Sequence, residues 1–369
     1  MRFQKQITAA QVMMIIANTT IGVSVLALPR IATEKVNTGG FFITFIGLVI
    51  AFIGCIIIAA LGVRFPKKTF IEYSSALISK PISMAIGMLL IVYFILLEGF
   101  ILREFGEVMN HSLLDKTPIF VTITSMIIVI AITSRNSITT FAHIQYYYFP
   151  FIVIPIFLMV LISFSKMEIV HLKPFLGNNA NVSNYLRGVH SVIGLPFIQI
   201  GTFILTIIIP YTKSKKHTVI GSILGILVSG ITILFAVGVT MAVFGAEEIK
   251  KSLWPMFVLA RMIQFPAEML ERVDIVFIVV WIFSAFTTLL SGYVLIAYIS
   301  GKVFGFNDHL PFTIILLPIV ILVALYPDNI QQLYDYMEWV GKGGILLTFL
   351  YPLILLVLSL ARKKRGDHH

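Results

Sequence analysis

Long, uncharged apolar runs broken by short polar connections are what most constrain the folding of this chain. Residues 41–63, for example, hold no Asp, Glu, Lys or Arg. About 20 apolar residues in helical form cross the ~30 Å hydrocarbon core of a bilayer. Inside lipid every backbone N–H and C=O must be satisfied internally, so runs of this length read as helices rather than barrel strands. Runs at 8–33, 41–63, 82–110, 118–134, 144–165, 188–211, 218–244, 273–300, 311–326 and 337–361 predict ten transmembrane helices in one transmembrane domain over 1–369. Composition agrees: 58% of the 369 residues are hydrophobic and 12% are charged, where a soluble chain has about a quarter charged.

The net charge of +10 would suit nucleic acid, but it sits in short loops beside apolar runs. Orientation and anionic membrane lipids account for it better, and no nucleic acid partner is expected. With both termini inside, Arg64, Lys67, Lys68, Arg135, Lys213, Lys302 and the tail from Arg362 to Arg365 fall on the inner face. The opposite face takes fewer, mostly in its two longest connections, where the positive-inside bias is weak. Cys55 is the single cysteine, which excludes a disulfide pair and a cysteine metal cluster. The N-terminal residues run straight into the first span without a small-residue cleavage site, which predicts a retained helix rather than a removed signal.

Two connections carry amphipathic stretches, one at Lys68–Ser79 between spans two and three, the other starting at Trp254 between spans seven and eight. Their matching places on opposite faces predict an inverted five-plus-five repeat, 8–165 and 188–361. In such a repeat the first helix of each half is broken near the midplane, exposing half-helix ends to a ligand. The first span gathers Asn18, Thr19, Thr20, Gly22 and Ser24 in its middle, and the sixth carries Gly194, Pro196, Gln199, Gly201 and Thr202. Close helix packing would explain the small residues equally well when either segment is taken alone. On span eight, Ser284, Thr288 and Ser291 recur at helical spacing with Thr287 beside them. Span three supplies Tyr93 and Leu97, then Glu98, Arg103, Glu104 and Glu107. Charges inside a span are costly and face protein, water or one another. Arg103 and Glu107 stand four apart with Glu104 adjacent, so an ion-pair cluster is expected, with Glu98 deeper as either a proton-linked or ligand-sensing group or one with a structural partner elsewhere in the bundle.

No P-loop, Gly-x-Ser-x-Gly or His-Glu-x-x-His pattern occurs, and no nucleophile, base and oxyanion set can be assembled. Neither an enzyme, a cofactor nor a metal site is expected.

Ala17-Asn18-Thr19 followed by Gly22 and Leu28-Pro29-Arg30, the Leu113-Leu114-Asp115-Lys116-Thr117-Pro118 ending of span three, Leu172-Lys173-Pro174, Leu253-Trp254-Pro255 and Val280-Trp281 together resemble the B subunits of spore germinant receptors. These form the endospore germination permease family within the amino acid/polyamine/organocation transporter superfamily. The resemblance implies an amino acid permease-like, all-α fold in the spore inner membrane. It implies a complex with an A subunit and a lipoprotein C subunit, and the sensing of nutrients such as amino acids or sugars. Carried over by position, it implies a pocket lined by Gly22, Val23 and Ser24, by Tyr93 and Leu97, by Phe197 to Thr202, and by Thr287, Thr288 and Ser291. The family pattern places an acidic residue in span six and Pro-Glu at its inner end; here span six has no acid and Pro210 precedes Tyr211. That departure weakens the case for an amino acid whose ammonium meets a carboxylate, although carbonyls near Ser24 and the hydroxyls of span eight could coordinate one. A secondary transporter coupled to H⁺ or Na⁺ is the alternative, with Glu98 as carrier, and a passive water or ion conduit a third.

Overall fold

The computed structural model describes residues 6–177, 181–262 and 273–365. The described residues are helical apart from connections and one isolated bridge between Ile7 and Thr212. In chain order the helices are α1 (Ala9–Ile21), α2 (Ser24–Val36), α3 (Gly40–Arg64), α4 (Phe70–Leu77), α5 (Lys80–Ser112), α6 (Ile119–Ser134), α7 (Ile138–Ser163), α8 (Val182–Ile193) and α9 (Pro196–Phe203). They continue as α10 (Leu205–Ile208), α11 (Lys215–Lys251), α12 (Pro255–Met262), α13 (Val273–Val303), α14 (Leu310–Leu325), α15 (Ile330–Ile345) and α16 (Tyr351–Ala361), the last two joined by a π-helical turn at Leu346–Leu350.

Among the described residues, six helical stretches are long and apolar enough to cross a membrane, seven if the bent pair Val182–Ile193 and Pro196–Tyr211 is one span. One of the six, Val25–Arg64, is divided by Asn37 at φ 53°, so its membrane-crossing part is α3. The apolar helices α1, α6 and α14 are shorter, at 13, 16 and 16 residues. Sixteen residues rise about 24 Å, less than the ~30 Å core. The circumference is apolar: Phe45, Ile53, Leu89, Ile132 and Leu322 are among the exposed side chains. Polar side chains such as Asn18, Gln145, Thr288 and Ser291 are buried instead. This inside-out pattern suits a lipid surround.

Helix starts follow capping chemistry more than apolarity. Thr8 and Gln11 form a reciprocal capping box at α1, and Ser137, Ser214 and Asn329 accept from backbone amides at the starts of α7, α11 and α15. Hence α7, α11 and α15 begin before the apolar runs at 144, 218 and 337, since a polar cap satisfies the first amides ahead of the hydrocarbon segment. Small residues then set the packing. Gly221 and Gly225 of α11 lie against α1, where a side chain would meet Ala9, Val12, Met13 and Ile16. The predicted amphipathic segments are α4 and, as far as Met262, α12; the remainder of the second, together with Arg2, Lys5 and Arg272, lies outside the described residues.

The two ends of the bundle differ. At one, the Arg362 and Lys364 side chains donate to the carbonyls of Leu77 and Ala76 (2.6 and 2.8 Å), Arg64 donates to Ser359 O (3.0 Å), and Lys302 pairs with Glu72 (3.0 Å). At the other, Lys250 meets Asn37, and Lys35 meets Glu338. The 25 residues of α3 separate these ends by about 37 Å.

Candidate functional site

The first break is at Gly22 and Val23. α1 ends at Ile21, Gly22 takes φ 11° and ψ −121°, its N–H donating to Asn18 O (3.1 Å), and α2 starts at Ser24. A turn away from helical ψ strands carbonyls that lipid cannot satisfy. α13 supplies the donors. Ser284 Oγ donates to Gly22 O (3.3 Å), and Thr288 Oγ1 lies 3.2 and 3.4 Å from the carbonyls of Thr19 and Asn18. Ser291 Oγ is 2.6 Å from Thr19 Oγ1. The hydroxyl stripe of α13 therefore faces the break. Thr287 does not join it: its hydroxyl bonds back to Ser284 O (2.9 Å). Gly22 is glycine because Thr288 Oγ1 occupies the space of a Cβ. The side chain of Ser24 lies outside the described residues.

A residue that the apolar pattern hid completes this knot. Gln145 of α7 donates from Nε2 to Ser291 Oγ and Thr287 O (both 3.0 Å), while Asn18 Nδ2 donates to its Oε1 (3.0 Å) and carbonyl (2.7 Å). Its signal was available: a lone amide near the start of an apolar run.

The second break falls at Gly194 and Leu195, where α8 and the helical stretch from Pro196 meet at 56°. Proline at the start of α9 lacks the N–H that would continue α8. Gln199 bridges the elements around the bend. Its Nε2 donates to Gly341 O (2.9 Å) and Ile193 O (3.3 Å); its Oε1 accepts from Thr348 (3.1 Å) and from the hydroxyl of Tyr93. Gly201 leaves room for Thr20 of α1, and Gly341 for the backbone of Gly194. Thr202 bonds within its own helix, and Leu97 is buried.

The charges of α5 divide. Arg103 Nε meets Glu107 Oε1 at 2.8 Å and its Nη1 donates to Ala324 O (3.3 Å). Glu104 stands apart from that pair and accepts from Tyr334 OH (2.9 Å), which accepts in turn from Trp254 Nε1 (3.1 Å). Glu98 is fully buried, and neither carboxyl oxygen has a hydrogen-bond partner among the described residues. It lies against Gly292 of α13, where a Cβ would collide with Oε2.

A cavity of about 80 Å³ adjoins both breaks, with Val23, Leu28, Pro196 and Phe197 in its wall. Glu104, Tyr334, Ser191, Lys35 and Glu338 supply polar groups to it. Of the expected pocket residues whose side chains are described, only Val23 and Phe197 line this space. Asn18, Tyr93, Gln199, Ser284, Thr288 and Ser291 are engaged in bonds that hold the breaks closed.

An all-helical bundle with an apolar circumference and two helix breaks beside an internal cavity defines a permease-type integral membrane protein. The fold is similar to that of Mhp1, a nucleobase-cation-symport-1 family transporter solved in a closed conformation with bromovinylhydantoin bound. The TM-score is 0.73, with 99% of this chain and 81% of that chain covered at 14% identity. The chain belongs to the spore germination protein family, whose sequence pattern it matches over residues 6–333. It is 29% identical over 366 residues to spore germination protein YndE of Bacillus subtilis (strain 168), covering 98% of each chain. It is 28% identical to spore germination protein A2 of the same organism, covering 95% of this chain and 94% of that one. With spore germination protein GerLB of Bacillus cereus the identity is 23%, over 99% and 97% of the two chains.

Proposed function

We propose that this chain is the membrane-embedded nutrient sensor of a spore germinant receptor, binding a small germinant at the midplane between its two helix breaks, with α5 as a wall and α13 bracing the first break from behind. The observation that carries this reading is the cavity whose wall includes Val23 at one break and Phe197 at the other. A ligand entering there meets the ends of two separate half-helices, so differential affinity for two arrangements of α2 and α8 becomes a conformational signal. The ligand class is an amino acid or a comparable small nutrient, with a sugar as the other candidate.

The same reading counts ten spans in two inverted sets of five. α1 with α2, α3, α5, α6 and α7 form the first; α8 to α10, α11, α13, α14 and α15 with α16 form the second. Breaks in the first member of each set support it, as do α4 and α12 at matching places. The end carrying Arg64, Lys302 and the basic tail is assigned to the inside of the spore inner membrane. A and C subunits of the receptor would receive the signal. A thermal-shift screen of purified protein against amino acids and sugars tests the reading, because a ligand that binds only the folded state raises apparent stability. A hit that persists after Val23 and Phe197 are changed to bulkier residues, in variants that still fold, would place the ligand elsewhere.

One observation favours a second reading, a proton-coupled transporter: the buried, unpartnered carboxyl of Glu98. Coupled uptake of a labelled nutrient by reconstituted protein separates the two, since a sensor binds without uptake.

A further inference from the structure

Glu338 of α15 accepts from three directions. Lys35 Nζ of α2 lies 3.2 Å from its Oε1 and 3.4 Å from its Oε2; Ser191 Oγ of α8 donates to Oε1 at 3.1 Å; and Lys342 Nζ of its own helix lies 2.8 Å away. Two of these contacts cross between elements, and those elements are the half-helix that follows the first break and the one that precedes the second. Glu338, Lys35 and Ser191 all line the cavity. Their exposure places them at its mouth: the side chains of Lys35 and Glu338 are 30% and 32% exposed, whereas Val23, Leu28 and Phe197 are buried behind them. Deeper in, Gly341 packs on the backbone of Gly194 and accepts from Gln199, so α15 is already seated against the second break.

We propose that Glu338 is the latch of a gate: one carboxylate that ties both half-helices to α15 and must lose Lys35 and Ser191 before a ligand can enter the cavity from this end. The geometry carries the assignment because separating α2 or α8 from α15 breaks a cross-helix contact to the same carboxylate, and a charge-assisted contact is stronger than a neutral one. Lys342 has a different part. It sits on the same helix, stays with Glu338 when α2 and α8 move away, and partly neutralises the carboxylate in the open arrangement. The gate concerns access alone and goes beyond the sensing reading.

The test uses accessibility, which needs no ligand. Full-length protein in lipid nanodiscs carries Cys55→Ala, removing the single native thiol, and Ala27→Cys, a reporter in the cavity wall. The probe is a sulfonated methanethiosulfonate that cannot cross membranes. Glu338→Gln and Lys35→Met are each expected to speed modification by about fivefold, the shift in opening that follows from losing one partly exposed ion pair with its hydrogen bond. Lys35→Arg should keep the slow rate, and Lys342→Met should not accelerate it, since Lys342 neutralises the carboxylate when the gate is open. An unchanged rate in both Glu338→Gln and Lys35→Met overturns the proposal, and so does Lys342→Met acting as strongly as Lys35→Met. A parallel set retains native Cys55 without the Ala27→Cys reporter. Cys55, fully buried, should stay unreactive; its modification in the same variants would signify general loosening and likewise overturn a local latch. Because nutrient binding plays no part in the readout, failure here leaves the sensing reading standing, and failure of the thermal-shift screen leaves the latch standing.

Discussion

Thr288 of α13 fills the space that a side chain at Gly22 would require, and from there its hydroxyl reaches the carbonyls of Thr19 and Asn18. The break in the first helix and the hydroxyl that stabilises it are thus two halves of one arrangement, set 266 positions apart in the chain. Enlarging Gly22 forces one of them to move.

Gly22→Ala is accordingly expected to destabilise the protein by about 1–3 kcal/mol, the usual cost of overpacking a tight site. Adding Thr288→Ala removes the closest clashing atom and should recover part of that loss. Thermal unfolding of the four proteins in a double-mutant cycle reads the coupling; strictly additive effects would show that the two positions do not compete for space.

Gln199 tests whether the second break is held by hydrogen bonds. Tyr93→Phe removes one contact and is expected to cost about 1 kcal/mol. Gln199→Leu leaves Tyr93 OH without its acceptor and removes the side-chain donor to the Gly341 and Ile193 carbonyls, while Thr348 keeps its bond to Gly344 O, and should cost more, on the order of 2–4 kcal/mol. Equal unfolding temperatures for the two variants would contradict this ranking.

Glu98 separates the two functional readings. If the chain only senses, wild type takes up no labelled nutrient in liposomes, and Glu98→Gln, which keeps the side chain's size, still gives a ligand-induced thermal shift. If it transports protons, wild type accumulates nutrient under an inward proton gradient and Glu98→Gln abolishes that accumulation. Gly292→Ala, which drives a methyl group into Glu98 Oε2, is expected to destabilise the protein under either reading.

At the opposite end, Glu72 gives a pH dependence of known sign. Burial raises its pKa, but the Thr69 backbone N–H (2.7 Å) and Lys302 (3.0 Å) outweigh burial and hold the carboxyl below its ordinary value of 4.5. A depressed folded-state pKa adds stability above the ordinary value, and that contribution disappears as pH falls through the lowered one. The docking of α4 should therefore weaken only below about pH 4.5, read as faster hydrogen exchange in residues 70–77. Glu72→Gln should exchange faster at neutral pH and lose this acid dependence; a wild-type change centred near neutrality would point to another group.

How much of this was legible beforehand depended on distance along the chain. The apolar runs located the long helices, and Gly22 and Pro196 marked both breaks, because glycine and proline act on their own backbone. The helical spacing of Ser284, Thr288 and Ser291 marked a face for the same local reason. Partners could not be read that way. Glu104 was expected beside Arg103 and Glu107 on α5, yet its hydroxyl donor is Tyr334, 230 residues away. Gln145 and Glu338, each central to a knot of hydrogen bonds, stand out only once helices distant in the chain are brought together.

Sequence alone therefore determined a membrane-embedded helical protein with two weakened helices and a stripe of hydroxyls, since hydrophobicity, backbone freedom and helical periodicity are properties of short segments. Only the tertiary structure decided that most of the expected ligand groups are engaged with one another, and that the open space lies beside them, under Lys35 and Glu338. The physical reason is the cost of a bare polar group in lipid: the buried amides and hydroxyls at the two breaks find partners on whichever helices pack against them, and that choice belongs to the packed bundle rather than to any one segment.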